Sequence, residues 1–425
     1  MPPEPLGLGV DLGSSGLRLA LINRAGALQA EVSSDYPAPF NDPDGWRQGL
    51  MALCAQLPEA LRRTVAAVAI DGTSGTLLLC RPDGSLAPGD LGLALPYHQA
   101  CPEHGAEASA LVGPAAADAP AASASGSLAR ALHLLDRSAP LQNGPWLLRH
   151  QADWLMGWLL GDWRWGEEGN NLRLGWDLQR QDWLGSIGRQ PWSHALPRIC
   201  ASGSERGALG AEAAQALGLP ASCRVVAGST DASAAVLAAD PQPGDGITVL
   251  GTTLVLKQFS PIPLQGPGIS CQRLAGQWLV GGASNAGAGV LCQFFSDGQL
   301  AELSRQMDPR RSSGLQLRPL PRPGERFPVD DPQLEPVLEP RPVSDALYLQ
   351  GLLEGLAVIE QTGWHRLRQL GAPPVQRVIT LGGGARNPQW RLIRQRLLGV
   401  PVLNRPQCSA AQGMARLALS ALVDR

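Results

Sequence analysis

The chain has 425 residues, 35 basic and 37 acidic side chains, a formal net charge of -2 and 44% hydrophobic residues. This is globular material long enough for two domains, without the basic excess that marks a nucleic-acid binder. No apolar run reaches the roughly 18 residues a membrane span needs, and the N-terminal residues lack the basic-then-apolar order of an export signal. A cytoplasmic protein with neither a nucleic-acid nor a membrane partner is therefore expected.

The eight cysteines are scattered singly, with no Cys-x-x-Cys pair and no histidine spaced to complete a metal site, so reduced thiols are expected. Lys257 is the only lysine. A phosphate-binding loop of the Gly-Lys type is thereby excluded, and a Schiff-base enzyme would have to use Lys257.

In chain order, residues 7–22 (GLGVDLGSSGLRLALI) predict two strands joined by a Gly/Ser turn. Val225–Ala227 reads as a strand, Gly228–Asp231 as a turn and Ala232–Ala239 as a helix, followed by the linker-like DPQPGDG. ITVLGTTLVLKQF predicts a second hairpin. Leu12-Gly13-Ser14-Ser15 and Leu250-Gly251-Thr252-Thr253 repeat one pattern, which points to an internal duplication with domains at 1–239 and 240–425. Prolines crowd residues 319–342 and forbid regular helix there. Ser344–Leu370 has the apolar spacing of a long helix with Ser344 as N-cap, then come a strand at Val375–Leu381, a triple glycine, and a helix at Pro388–Leu398.

Two Gly/hydroxyl turns suit a triphosphate, because backbone N–H groups and hydroxyls can surround its oxygens without a lysine. Gly13, Ser14 and Ser15 form one turn and Gly251, Thr252 and Thr253 the other. Asp11 precedes the first turn, placed to hold Mg2+. Asp231, at the join of a strand and a helix, is an N-cap by default and also a candidate base for an attacking alcohol. Gly383 and Gly384 offer a floor for adenosine, with Asn387 for hydrogen bonding and Trp390 either stacking on the base or lying in the core. Ser74, Gly75 and Thr76 end another strand with the small hydroxylated residues that sugar hydroxyls need.

These segments, in this order, resemble the FGGY carbohydrate kinases of the actin, Hsp70 and sugar-kinase superfamily. GVDLGSSGLRLAL is similar to the family's first phosphate motif, AIDGTSGTLLLCRPDGS to its sugar-side strand and GSTDASAA to its base-bearing segment. LGTTLVLK resembles the second phosphate motif, GERFPVDDP the proline-rich arm and LGGGARNPQWRLIRQRLLGVPV the adenosine motif. The resemblance implies an α/β chain of two actin-like, ribonuclease H-like domains with a cleft between them. It also implies an ATP- and Mg2+-dependent sugar kinase, monomer or homodimer, with Asp231 as base and Asp11 near the metal.

Two departures stand out. Tyr97-His98-Gln99-Ala100-Cys101 has Gln99 and Cys101 where the family commonly has an Asp and an Arg, and Ser409–Gly413 lacks the usual acidic residue. This pattern resembles the xylulokinase-like ribulose kinases of cyanobacteria and plastids, which implies D-ribulose as acceptor. D-xylulose, L-ribulose and glycerol remain alternatives, as does an ATP-binding switch with the same core and no acceptor.

Overall fold

The computed structural model describes residues 4–139 and 145–422. Strands β1 (Leu6–Leu12), β2 (Gly16–Ile22) and β3 (Leu28–Asp35) are antiparallel neighbours. Helix α1 (Pro43–Ala55) leads to β4 (Val65–Gly72), which runs parallel to β1. Helices α2 (Ser127–Ser138) and α3 (Gln151–Leu160) come before β5 (Glu205–Ala208) and β6 (Arg224–Thr230), and β6 is parallel to β4. Helix α4 (Asp231–Ala238) follows at once. Gly228–Thr230, expected as a turn, are thus the last residues of β6, because pairing with β4 extends the strand to Thr230.

The pattern then begins again. Strands β7 (Asp245–Leu250) and β8 (Leu254–Ser260) form a hairpin, β9 (Ile269–Leu274) and β10 (Gln277–Ala283) follow, and β10 pairs with β8. Helix α5 (Asp345–Gln369) leads to β11 (Arg377–Leu381), parallel to β7. Helix α6 (Pro388–Leu398), β12 (Val402–Asn404) and α7 (Ala410–Ser420) close the chain.

Two compact units result. The first holds Met1–Ala238, Arg273–Gly276 and Ser409–Arg425, the second Ala239–Gln272 and Gln277–Cys408. The last helix therefore belongs to the first unit, whereas the sequence kept 240–425 together. The sheet orders are β5-β6-β4-β1-β2-β3 and β9-β10-β8-β7-β11-β12. In each, a hairpin has a third strand antiparallel on one side and two strands parallel on the other, as a duplication requires.

In the first unit, side-chain alternation explains the packing. One face of β1 and β4 carries Leu8, Val10, Leu12, Val68 and Ile70, packed with Trp46, Leu50 and Trp154. The other face carries Gly7 and Gly9 on β1 and Ala67 and Ala69 on β4, and α7 lies over it. A Cβ at Gly9 would stand 1.8 Å from the Ala411 carbonyl oxygen, so only glycine allows that approach.

The second unit is built around α5, whose N-terminus is capped by Ser344 accepting from the Leu347 N–H. On its buried side Glu360 accepts two bonds from Arg394 of α6, at 2.6 and 2.7 Å, and one from Thr248 of β7 at 2.5 Å. Arg394 also donates to Thr380 of β11 at 2.6 Å. The pair is almost wholly excluded from solvent, so removing one partner strands the other charge. We expect Glu360→Ala to lower the unfolding free energy of this unit by about 3–5 kcal/mol, measured by urea titration followed through tryptophan fluorescence. A loss under about 1 kcal/mol, as for an exposed pair, would overturn this account.

Candidate active site

The parallel strands β1, β4 and β6 end side by side. Asp11 and Asp71 are register neighbours on β1 and β4, and Asp71 is opposite Ser229 on β6. Asp231, two residues beyond Ser229, opens α4 and accepts from the Ala232 N–H at 2.7 Å. Three carboxyl groups thus gather at one strand edge. Asp11 and Asp231 line a pocket of about 700 Å³ together with Gly13, Ser14, Ser15, Arg18, Ser33, Ser34 and Asp35. Ser14 and Ser15 are exposed in a tight turn closed by the Gly13 N–H to the Gly16 carbonyl, 3.0 Å.

Removal of solvent raises the Asp11 carboxyl above its ordinary value, opposed first by its hydrogen bond with Asp71 and then by Arg18 at 3.1 Å. Asp231 is raised by the same cause. Asp71 has no exposed surface, and its carboxyl lies against that of Asp11 and the backbone of Leu12. Burial, then the charges of Asp11 and Asp231, hold it well above the carboxylate range.

The turn at Gly13 is tied to the sugar-side strand end. Tyr36 Oη donates to the Gly13 carbonyl at 2.7 Å and receives a bond from Gln151 Nε2 at 3.4 Å. Gln151 Oε1 accepts from both the Thr73 N–H and the Thr73 hydroxyl. Thr76 is fully buried, shares a 2.7 Å bond with Thr73 and accepts from the Tyr97 N–H. Its hydroxyl is therefore engaged internally, while Ser74 stays partly exposed. Gly75 adopts φ +104° and its carbonyl accepts from Arg130, which is itself completely buried. Arg130 also donates to the carbonyls of Tyr97 and Gln99, and burial lowers it to about 10.

In the second unit, the Gly251-Thr252-Thr253 turn joins β7 to β8 with Thr252 exposed. It rests on a segment that sequence reading passed over: the Ala288 and Gly289 N–H groups donate to the Gly251 and Thr252 carbonyls. That segment is anchored by Glu325 of the proline-rich arm, which accepts from the Ser284 hydroxyl and the Asn285 N–H. The three glycines after β11 differ in what they face. A Cβ at Gly382, where φ is +82°, would meet the Leu250 carbonyl at 2.7 Å; one at Gly384 would meet Leu250 and Trp390 at 2.7 Å; one at Gly383 would meet nothing. Only Gly383 presents an open backbone. Trp390 is 2% exposed and belongs to the core, so the structure gives it the packing role rather than a stacking face. Asn387 caps α6, accepting from the Gln389 and Trp390 N–H groups, and donates to Ser304.

Residues 246–422 match the FGGY family of carbohydrate kinases, C-terminal domain. The C-terminal part of the chain is thus the C-terminal domain of an FGGY-family carbohydrate kinase. Among solved structures it is similar to a xyloylose kinase from Brucella ovis, 22% identical with TM-score 0.80, over 99% of this chain and 91% of that one. A xylulose kinase from Rhodospirillum rubrum is 22% identical with TM-score 0.79, over 99% and 90%. A glycerol kinase from Plasmodium falciparum, solved with ADP, has TM-score 0.80 at 13% identity, over 99% and 90%. The fold is thus α/β with two actin-like domains, as the sequence implied.

Asp71 at the strand edge, and Tyr36, Gln151 and Arg130 around it, escaped sequence reading. Only Asp71 left a signal there, as the one charged residue in the apolar run Ala66–Gly72. Its burial has a measurable consequence. The folded-state value of Asp71 lies above the unfolded value, so the folded protein binds the proton more tightly and stability falls as pH rises past the ordinary Asp range. Asp71→Asn removes that penalty. We expect it to melt higher than the parent at about pH 8, with the advantage shrinking at about pH 5, measured by calorimetry. An unchanged difference between the two conditions would show that Asp71 carries no such cost.

Proposed function

We propose that the chain transfers the γ-phosphate of ATP to a hydroxyl of a ketopentose, with D-ribulose as the acceptor and D-ribulose 5-phosphate as the product. The observation that supports this reading is the single pocket that holds Asp11, Ser14, Ser15 and Asp231. Asp231 takes the proton of the acceptor hydroxyl while that oxygen forms its bond to the γ-phosphorus and the bond from phosphorus to the β-γ bridging oxygen breaks, releasing ADP. Its raised proton affinity makes it a better acceptor than an exposed carboxylate, yet still too weak to form a free alkoxide. Alignment and charge neutralisation supply most of the rate.

Ser14 and Ser15, exposed with the N–H groups of their turn, donate to phosphate oxygens. Gly251, Thr252 and Thr253 are assigned the same role by their repeated pattern, and the open backbone at Gly383 is assigned to adenosine, with Gly384 and Asn387 fixing its shape. Ser74 and the Gly75 turn are assigned to the sugar. The pocket around Asp11 presents hard oxygen donors, from Ser14, Ser15 and Asp35 as well as Asp11 itself, which fits magnesium. Asp11 would hold that ion, which when bound supplies positive charge against the phosphate oxygens.

Two expectations test the reading. Asp231→Asn keeps a capping side chain on α4, so it should fold normally and bind ATP while turnover falls on the order of 10²–10⁴-fold. The parent's activity should decline on the acid side at a pH above the ordinary Asp value of 3.8, because protonated Asp231 cannot accept a proton. Turnover of the variant within a few-fold of the parent would remove Asp231 from the chemistry. For the acceptor, a coupled ADP-release assay over D-ribulose, D-xylulose, L-ribulose and glycerol should give the highest kcat/KM with D-ribulose. D-Xylulose ranking first would reassign the acceptor within the same mechanism, and no stimulation of ATP turnover by any of them would favour the switch reading.

A further inference from the structure

The segment that departs from the family pattern, Tyr97–Cys101, continues into one turn of helix at Pro102–His104. That turn packs against α2, and it brings together three side chains far apart in sequence. The Cys101 Sγ, a Glu103 carboxylate oxygen and a His133 ring nitrogen all lie within 4.8 Å of one another. No other group of three His, Cys, Asp or Glu residues does so among the described residues. Sequence spacing gave no sign of it, because His133 is 32 positions beyond Cys101 and arrives only through the docking of α2.

We propose that Cys101, Glu103 and His133 bind one zinc-class divalent cation. Thiolate, carboxylate and imidazole are the donors such an ion takes, and three protein ligands leave a fourth position for water. One thiolate and one carboxylate balance the ion's two charges, with His133 neutral. The His133 Nδ1 already stands 2.8 Å from Glu103 Oε1, so the two side chains are turned toward a shared point. Cys101 is 1% exposed and fixed by its N–H bond to the Ala124 carbonyl at 2.9 Å. The Glu103 and His133 side chains are 52% and 25% exposed, which gives the ion a path in from solvent. Glu107 and Asp136, at 3.5 and 3.7 Å from the two nitrogens of neighbouring His104, add negative potential beside the site. Magnesium, which prefers oxygen ligands alone, does not suit this donor set. The site is therefore chemically distinct from the magnesium position assigned to Asp11.

Binding has a structural consequence. The carbonyls of Tyr97 and Gln99 hold the buried Arg130, which in turn holds the Gly75 carbonyl. An ion bridging Cys101 and Glu103 to His133 fastens this segment to α2 at a second point beside Arg130.

The test is titration of the full chain, stripped of metal by chelator, with Co2+ followed by visible and near-ultraviolet absorption, then with Zn2+ by calorimetry. The parent should bind one equivalent and develop a thiolate-to-cobalt charge-transfer band that excess Mg2+ does not displace. Cys101→Ser should abolish the band. Because Cys101 is buried, the surface variants Glu103→Gln and His133→Ala carry the test independently. Each should lower Co2+ affinity by at least about tenfold, the least that is lost even when a residue that only orients a metal ligand is removed. Absence of the band at one equivalent in the parent, its persistence in Cys101→Ser, or parental affinity in both surface variants would each overturn the proposal.

Discussion

Everything in the first unit depends on three carboxyl groups being forced to the same edge of a parallel sheet. Adjacent parallel strands are about 4.8 Å apart, and Asp11 and Asp71 occupy matched positions on β1 and β4. The charge of Asp11 raises the proton affinity of Asp71, which has no exposed surface, while the hydrogen bond between them lowers that of Asp11, and both give up the solvation each would have in an unfolded chain. An arrangement that costs stability and perturbs titration is what a reacting site needs, and an inert surface would have no use for it.

What holds this edge in place is packing by small residues. Gly7 and Gly9 on β1 and Ala67 and Ala69 on β4 leave the sheet face low enough for α7 to lie against it. Gly413 of α7 does the same toward α4, where a Cβ would stand 2.0 Å from the Ala234 carbonyl oxygen. One helix from the end of the chain therefore sets the positions of both Asp11 and Asp231. The segment Ser409–Gly413, which lacks the family's acidic residue, instead supplies Ser409 as the cap of α7 and Gly413 as its closest contact.

The second unit uses buried carboxylates differently. Glu325 and Glu360 are satisfied several times over, by Ser284, Asn285 and Arg326 in one case and by Arg394, Thr248 and Trp364 in the other. Removing a partner is costly because the charge cannot return to water, so these groups fix geometry. Glu325 holds the Ser284–Gly289 segment, whose N–H groups support the Thr252 turn. The proline-rich arm is thus an ordered brace for a turn.

Local chemistry alone decided the hairpins at 7–22 and 247–259, the capped helix beginning after Ser344 and the helix Pro388–Leu398, because alternation, helical period and capping act over a few residues. The repeated Gly/hydroxyl turns were legible for the same reason, and they carried the family resemblance. Pairing across the sheet was needed to extend β6 through Gly228–Thr230, to match Asp71 with Asp11 and to bury it. Burial likewise assigned Trp390 to the core and took the Thr76 hydroxyl out of reach, since a residue's solvent exposure depends on what packs against it from elsewhere in the chain. The cluster of Cys101, Glu103 and His133 is the plainest case: its members are ordinary in sequence and acquire a shared chemistry only where α2 docks.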